Sequence, residues 1–141
     1  MIFQKNKTIE LFDKFLLTIP TKLKHHQDEI SNAKALFITD RFESFVISFE
    51  EGMADMTKQE KAEDEKTTFE YQEDGKSIRL CRSVPEVPNS TGGYALFSIE
   101  LECHGEKIQL NGQMTAKPGY KWSDNIEPTL ITILQGIRIK T

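Results

Sequence analysis

The amino-acid sequence predicts an α+β fold: an antiparallel sheet of five or six strands, built from hairpins, with an N-terminal and a C-terminal helix packed on one face. Apolar and polar residues alternate through the middle of the chain, which is the spacing of strands with one buried face. Near both ends, apolar residues recur every three or four positions, which is typical of amphipathic helices. Strand-like and helix-like patterns do not alternate, so a parallel sheet with a dinucleotide site is not expected.

Composition sets bounds on the class of protein. The chain has 141 residues, of which 38% are hydrophobic and 28% charged, as expected for one globular domain spanning residues 1–141. It lacks an apolar run of about 20 residues, which a membrane span requires, and its N-terminus does not resemble a secretory signal. Two cysteines are too few for a disulfide framework and suit a reducing compartment. We therefore expect a cytoplasmic protein with no membrane partner.

Acidic residues are concentrated in one segment. Residues 50–76 contain four Lys and ten Asp or Glu, a net charge of −6, against −4 for the whole chain. A basic nucleic-acid footprint is therefore not expected. Such a charge run is usually a solvated face. The sharper alternative is an acidic docking loop, in which Met53 and Met56 provide adaptable apolar contacts.

The first element is predicted to be a helix over residues 7–17. Ile9, Phe12 and Leu16 lie three or four positions apart and would face the sheet. Pro20 ends the pattern, because the residue before a proline is pushed out of the helical region.

The next stretch, residues 21–32, is polar and predicts a loop or a short helix. It contains the adjacent histidines His25 and His26. Adjacent side chains point to opposite faces of a strand and do not face each other on a helix, so this pair is poorly suited to binding a metal.

Two strands are predicted over residues 35–39 and 42–49, around a turn at Asp40-Arg41. A three-residue loop would place Phe37 opposite Phe45 and leave Val46 pointing away from the apolar face. The turn contains no glycine, so its type does not fix this register.

A second hairpin, residues 67–82, turns at Asp74-Gly75, a favoured two-residue loop. This turn sets Tyr71 opposite Ile78 and Phe69 opposite Leu80. Cys81 then falls on the polar side, opposite Thr68, and its thiol is expected to be accessible.

The longest alternating run, residues 93–114, turns at His104-Gly105, where glycine tolerates the positive φ of a two-residue loop. The turn sets Leu101 opposite Ile108 and Ile99 opposite Leu110. A slip of one residue would move every apolar side chain to the other face, so this register is strongly specified. Leu96 and Val46 are apolar on the supposed solvent face, which indicates a dimer or a second covering layer.

The last element is predicted to be a helix over residues 126–135. Pro128 suits its first turn, where a missing N–H costs no hydrogen bond, and Leu130, Ile133 and Leu134 form its apolar stripe. Gly136 is expected to end the helix in the left-handed conformation, before a short extended tail.

Three short runs near the end of the chain are distinctive: Trp122-Ser123-Asp124-Asn125, Glu127-Pro128 and Thr132-Ile133-Leu134-Gln135-Gly136-Ile137. Together with the two strands before them, they resemble the end of small Mog1/PsbP-like domains, although Thr129-Leu130 replaces an aromatic of that pattern and Gly136 a serine. The resemblance covers the last third of the chain, from Gly93 onward. It implies a non-enzymatic scaffold that binds or chaperones partner proteins, and it supplies no catalytic residue.

Motifs for chemistry are not recognisable in the sequence. Cys103-His104, with Cys81, is the best apparent constellation, but C-x-x-C and H-x-x-x-H spacings are missing. Glu100 and Glu102 share one strand face, opposite Gln109 and Lys107, as ordinary solvated partners do. We therefore expect no catalytic residue, metal or cofactor, and favour a protein that is not an enzyme.

The leading hypothesis is a non-enzymatic protein-interaction module: an adaptor, a chaperone-like protein or an immunity-like binder. Its partner would be another protein or a second copy of the chain. The candidate contact residues are Tyr120, Trp122, Met53 and Met56, since aromatic residues are enriched in interface hot spots.

Two other hypotheses stay open. The alternative is a small-ligand-binding protein or enzyme with a pocket at the open end of the sheet, where Arg79, Cys81 and Arg82 would be the polar groups. The third is single-stranded nucleic-acid binding by Lys117, Lys121, Tyr120 and Trp122, which mix basic and aromatic groups. The net negative charge argues against this third hypothesis.

Overall fold

The computed structural model describes residues 5–30, 33–52, 57, 65–73, 75–83, 94–117 and 127–140. This part of the chain forms ten strands and one helix. The elements are β1 (Asn6–Leu11), β2 (Phe15–Pro20), β3 (Lys24–Ile30), β4 (Ala33–Thr39), β5 (Phe45–Glu50), β6 (Glu65–Glu73), β7 (Lys76–Ser83), β8 (Tyr94–Cys103), β9 (Glu106–Ala116), α1 (Glu127–Gln135) and β10 (Arg138–Ile139).

The strands form two antiparallel sheets. One has seven strands in the order β3-β4-β5-β9-β8-β7-β6, and the other has three in the order β1-β2-β10. The fold is therefore mostly β. The prediction of an α+β fold, with helices at both ends of a five- or six-stranded sheet, is wrong. Of the two predicted helices, the C-terminal one is confirmed and the N-terminal one is not.

The predicted N-terminal helix is a β-hairpin. β1 and β2 pair in register from Asn6 with Pro20 to Leu11 with Phe15. Within each strand the buried residues alternate, as period two requires. A turn of three residues separates the strands, and its first residue, Phe12, is itself buried. Across this turn the apolar spacing becomes three and four residues, which imitates a helical stripe.

The polar stretch predicted as a loop or short helix contains β3, the edge strand of the seven-stranded sheet among the described strands. Residues 24–29 all have exposed side chains, so the hydrophobic alternation that identifies a strand is absent. β3 is instead fixed by its pairing with β4, from Lys24 with Thr39 to Ile30 with Ala33.

Strands β4 and β5 are confirmed, but their predicted register is wrong. Phe37 lies opposite Ser48, and Ile38 lies opposite Ile47. The observed register differs from the predicted one by an odd number of residues, which turns Phe37 to the opposite face of the sheet. The reason is a five-residue connection, residues 40–44, in place of the predicted three-residue loop.

The other two hairpins are confirmed. Leu101 pairs with Ile108 and Ile99 with Leu110 in β8–β9, and the predicted pairs Tyr71–Ile78 and Phe69–Leu80 occur in β6–β7. Both turns use glycine at positive φ, +73° at Gly75 and +81° at Gly105. An irregularity between Thr67 and Phe69 places Thr67, not Thr68, opposite Cys81.

One face of the seven-stranded sheet, here called the core face, packs against the small sheet and α1. Helix α1 contacts β2, and β10 contacts β8. The hydrophobic core contains side chains of both sheets and the helix; its largest fully buried members are Phe49, Phe97, Leu11, Leu17, Ile19, Leu36, Ile38, Ile47, Ile78, Leu80, Ile99 and Met114. The opposite face of the same sheet is called the outer face below.

Helix α1 is short, nine residues from Glu127 to Gln135. No helix in the described ranges is long and apolar enough to cross a membrane. Gly136 does not adopt the predicted left-handed conformation, since it is not among the positive-φ residues. Its N–H donates to the carbonyls of Thr132 and Ile133 at 3.2 and 3.1 Å, which continues the helical pattern into β10.

Candidate binding cleft

Within the described ranges, the outer face is buried over β7, β8 and part of β9, and it forms a cleft over β3, β4 and β5. On β7, β8 and β9 its residues Cys81, Ser98 and Asn111 are buried. Thr57, in the connection between β5 and β6, is also buried, and the Cys81 thiol lies 3.8 Å from its carbonyl oxygen. Thr57 therefore lies against the outer face over β7. Leu96 lies opposite Cys81 on the same face. The position of Thr57 therefore agrees with the second covering layer that the apolar Leu96 indicates.

A cleft of about 670 Å³ lies on the outer face over β3, β4, β5 and the end of β9. The described residues that line it are His26, Asp28, Phe37, Thr39, Glu43, Ser44, Phe45, Val46, Thr115, Ala116 and Lys117. They come from two parts of the chain: residues 26–46, which contain most of β3, all of β4 and the start of β5, and residues 115–117 at the end of β9. The sheet register brings them together: Thr39 lies opposite Val46, and Val46 lies opposite Thr115.

The floor of the cleft has an aromatic pair on β3 and β4. His26 lies opposite Phe37 in the register, and the two rings stack with centroids 5.1 Å apart and an angle of 23° between their planes. Phe37 is half-buried and His26 is exposed. His25 lies opposite Ile38, on the core-face side of β3, so the two histidines point to opposite faces, as the sequence predicts.

The β4–β5 loop forms one wall. The Asp40 carboxylate accepts a hydrogen bond from the N–H of Ser44 at 2.6 Å, and the Asp40 carbonyl accepts one from the N–H of Glu43 at 3.1 Å. Glu43 has a φ of +55°, which closes the loop tightly. These bonds present Phe42 at the tip with 73% of its surface exposed.

The tip is also tied to the end of β9. The Lys117 N–H donates to the Ser44 carbonyl at 2.9 Å, and its ammonium donates to the Phe42 carbonyl at 3.3 Å. The Arg41 guanidinium lies 5.7 Å from the centroid of the Phe42 ring, within range of a cation–π contact. Phe42 is thus an exposed aromatic held on a braced loop beside the cleft.

The described lining residues carry more acidic than basic charge. Asp28 and Glu43 provide carboxylates, and Lys117 provides an ammonium. The Asp28 carboxylate is oriented by a hydrogen bond from the N–H of Glu29 to its Oδ1, at 2.8 Å. No group of three or more His, Cys, Asp or Glu that could hold a metal ion occurs in the described ranges.

Among the binding candidates named from the sequence, Lys117 of the nucleic-acid hypothesis lines this cleft. Tyr120, Trp122, Met53 and Met56 lie outside the described residues, so their role stays a prediction. Lys117, on the rim, precedes Tyr120 and Trp122 in the chain.

The polar groups of the alternative hypothesis lie on β7, which β8 and β9 separate from the cleft strands β3, β4 and β5. Arg79 is half-buried opposite Ser98, and the backbone of Arg82 pairs with Ala95. The prediction that Cys81 is accessible is wrong, because Thr57 covers it and only 3% of its surface is exposed. The predicted strand position of Cys81 is confirmed, but Thr57, which contacts its thiol, is remote in sequence.

Sequence reasoning missed most of the cleft residues. Val46 was the local signal, an apolar side chain expected on the solvent face, and it is half-buried in the cleft floor. Phe37 was placed in the core by the wrong β4–β5 register, and β3 was not expected to be a strand. The cleft follows from the sheet order, which no local pattern specifies.

No protein-family model, no curated protein and no solved structure matches this chain.

Proposed function

We propose that this protein is a non-catalytic interaction module that binds a segment of another protein in the outer-face cleft. The observation that carries the proposal is an open cleft of about 670 Å³ beside Phe42, a phenylalanine that is 73% exposed on a braced loop. Exposed aromatic residues next to an apolar depression are typical of binding surfaces. Presenting Phe42 to water has no benefit for the core, whereas a partner would bury it.

The cleft walls support the same interpretation. Phe37, Val46 and Ala116 provide apolar floor, and Thr39, Asp28 and Lys117 provide polar groups around it. An apolar centre with a polar rim is the usual anatomy of a protein interface. The resemblance of the last third of the chain to Mog1/PsbP-like domains is a second line of support, because that group binds partner proteins.

The proposal places the protein in the cytoplasm. Neither Cys81 nor Cys103 is in a disulfide, and a reducing compartment keeps thiols in that state.

The test is a pair of tryptophan variants on β9. Thr115 is exposed and lines the cleft, so Thr115→Trp should block it. Gln113 is exposed two residues away on the same strand face but does not line the cleft, so Gln113→Trp is the matched control. Both variants leave the core face unchanged, and circular dichroism and thermal unfolding would establish that each is folded.

We expect the tagged wild type and Gln113→Trp to retain one partner from native lysate, and Thr115→Trp and Phe42→Ser to lose it. Calorimetry with the purified partner should then give a stoichiometric complex for the first two proteins. Equal binding by Thr115→Trp would remove the cleft from the proposal. No stoichiometric partner for the wild type would refute the interaction module. Tyr120→Ala with Trp122→Ala, in the same assay, tests the contacts predicted from sequence.

A small ligand is the second candidate for the same cleft. Its volume lies within the range of about 300–1,000 Å³ that is usual for small-molecule sites. Thermal stabilisation by a compound from a fragment library, lost in Thr115→Trp and kept in Gln113→Trp, would favour this candidate.

A further inference from the structure

We infer that the cleft receives an arginine side chain of the partner; this inference rests on the proposed function and specifies the partner's chemistry. An arginine guanidinium is planar and cationic, stacks on aromatic rings, and pairs with carboxylates through two parallel hydrogen bonds. The cleft offers both kinds of contact.

The stacking surface is the His26–Phe37 pair. Its rings are close to parallel, at 23°, and stack across β3 and β4, so each ring has one face turned away from the other ring. Phe37 is half-buried, so its ring is held by the sheet. A planar group that enters the cleft meets a preformed aromatic surface, which lowers the entropy cost of binding.

The carboxylate is Asp28, two residues after His26 on the same face of β3. Its Oδ1 accepts a hydrogen bond from the N–H of Glu29, which orients the group before any ligand arrives. Side chains two residues apart on one strand face lie about 7 Å apart, within reach of one guanidinium and the end of its stem. Glu43 adds a second carboxylate from the β4–β5 loop.

Charge on a larger scale favours a cation over an anion. The chain carries a net charge of −4, and residues 50–76 alone carry −6. Lys117 is the basic residue among the described lining residues, and its ammonium already donates to the Phe42 carbonyl. The carboxylates of Asp28 and Glu43 favour a cationic group in the cleft, and a neutral aromatic side chain would leave them unused.

The test uses three acetylated and amidated tripeptides, Gly-Arg-Gly, Gly-Lys-Gly and Gly-citrulline-Gly. Each is titrated into the 141-residue chain and followed by NMR at the side chains of Phe37 and Val46. Lysine keeps the charge without the plane, and citrulline keeps the plane without the charge. We expect the arginine peptide to shift both side chains and to bind at least about twofold more tightly than either analogue.

Asp28→Asn should weaken the arginine peptide roughly two- to fivefold, the range for a surface ion pair, while keeping the bond from Glu29 N–H. Glu29→Gln is the matched control, because it removes the same charge from the next residue, on the opposite face of β3. Phe37→Leu, which keeps an apolar side chain without a ring, should weaken the arginine peptide and leave the lysine peptide unchanged.

Equal binding of the arginine and lysine peptides, equal effects of Asp28→Asn and Glu29→Gln, or no shift at Phe37 and Val46 would each overturn the inference. These results are independent of the tryptophan-block experiment. If Thr115→Trp lost the partner but the cleft did not prefer the arginine peptide, the interaction module would stand. Only the inference that the partner inserts an arginine would be refuted. Arginine binding in the cleft without any partner would refute the module.

Discussion

Two hairpins of this protein turn through the same unusual backbone region with very different residues. The β8–β9 turn has His104 and Gly105 at φ of +52° and +81°, and the β1–β2 turn has Phe12 and Asp13 at +53° and +58°. Glycine adopts positive φ at no steric cost, whereas a residue with a Cβ pays roughly 1–2 kcal/mol. A bulky phenylalanine there is an outlier.

Burial explains why the β1–β2 turn tolerates Phe12. Its side chain is 6% exposed and belongs to the hydrophobic core, together with Leu11 and Phe15 on either side. Burying a phenylalanine contributes about 1.5–3 kcal/mol, enough to offset the strained backbone. The β8–β9 turn is specified by its own residues, and the β1–β2 turn by the core into which Phe12 points.

The largest effect should come from Phe12. We expect Phe12→Ala to lower the free energy of unfolding by about 3–5 kcal/mol, because it removes a buried ring and keeps the strained backbone. Phe12→Gly should cost about 1 kcal/mol less than Phe12→Ala, since glycine relieves the positive φ. Urea unfolding of both variants measures the difference. At an ordinary position glycine is the less stable of the two, so a more stable alanine variant would contradict this account of the turn.

Gly112 should have the next largest effect, within the hairpin that the sequence predicts. It lies opposite Phe97 on β8 and Phe49 on β5, and an added Cβ would be 2.4 Å from the Ser48 carbonyl oxygen and 2.5 Å from the Phe97 ring. We expect Gly112→Ala to destabilise by about 2–3 kcal/mol, because neither the backbone oxygen nor a core ring can move freely.

Gln113→Ala is the control for Gly112→Ala. It changes the next residue of the same strand, whose exposed side chain lies on the outer face, and should change the stability by no more than about 0.5 kcal/mol. The same unfolding measurement applies. A near-neutral Gly112→Ala would mean that the sheet relaxes around the new methyl group.

Gly105→Ala should have a smaller effect of a different origin. No atom lies within 4 Å of a Cβ added at Gly105, so space is not limiting. The φ of +81° alone should cost roughly 1 kcal/mol. A loss as large as that of Gly112→Ala would contradict a purely conformational cost, and no loss would show that the turn changes type. Thermal unfolding, with His104→Asn as a variant that tolerates the same φ, distinguishes these outcomes.

The same contrast decides how much of the fold the sequence predicts. The β6–β7 and β8–β9 hairpins were predictable because glycine turns fix their registers, and α1 because Leu130, Ile133 and Leu134 form a stripe. The N-terminal hairpin was not predictable, since its turn has no glycine and a buried Phe12. Strand β3 was not predictable either, because this polar edge strand has no alternation of apolar and polar residues.

The candidate cleft was less predictable than the fold. Its lining depends on β3 being a strand, on the β4–β5 register and on the pairing of β5 with β9. β3 has no apolar alternation, the β4–β5 connection has no glycine, and the β5–β9 pairing joins segments that are distant in sequence. The predicted β4–β5 register differs from the observed one by an odd number of residues. The prediction therefore put Phe37 in the core, although its side chain lines the cleft. Val46 alone signalled the cleft locally, as an apolar residue on a face expected to be solvated.

The smallest predicted effect concerns pH and how β1 lies beside β3. Gln27 of β3 donates to the carbonyl of Glu10 in β1 at 3.1 Å. On the same side of β3, partial burial lowers the pKa of His25 below its ordinary value of 6.5, and the charges of Lys7 and His26 lower it further. Since the folded chain then binds fewer protons than the unfolded chain, its stability should fall as the pH drops below about 6.5.

His25→Gln should show a smaller loss of melting temperature than the wild type between about pH 7.5 and 5.5, because glutamine does not titrate near 6.5. Lys7→Gln should give an intermediate loss, since burial, the largest cause of the lowered pKa, remains. If Lys7→Gln kept the wild-type pH dependence, the charge of β1 would not reach His25. The N-terminal hairpin would then be held by its buried residues, Phe12 among them, without an electrostatic contribution from β3.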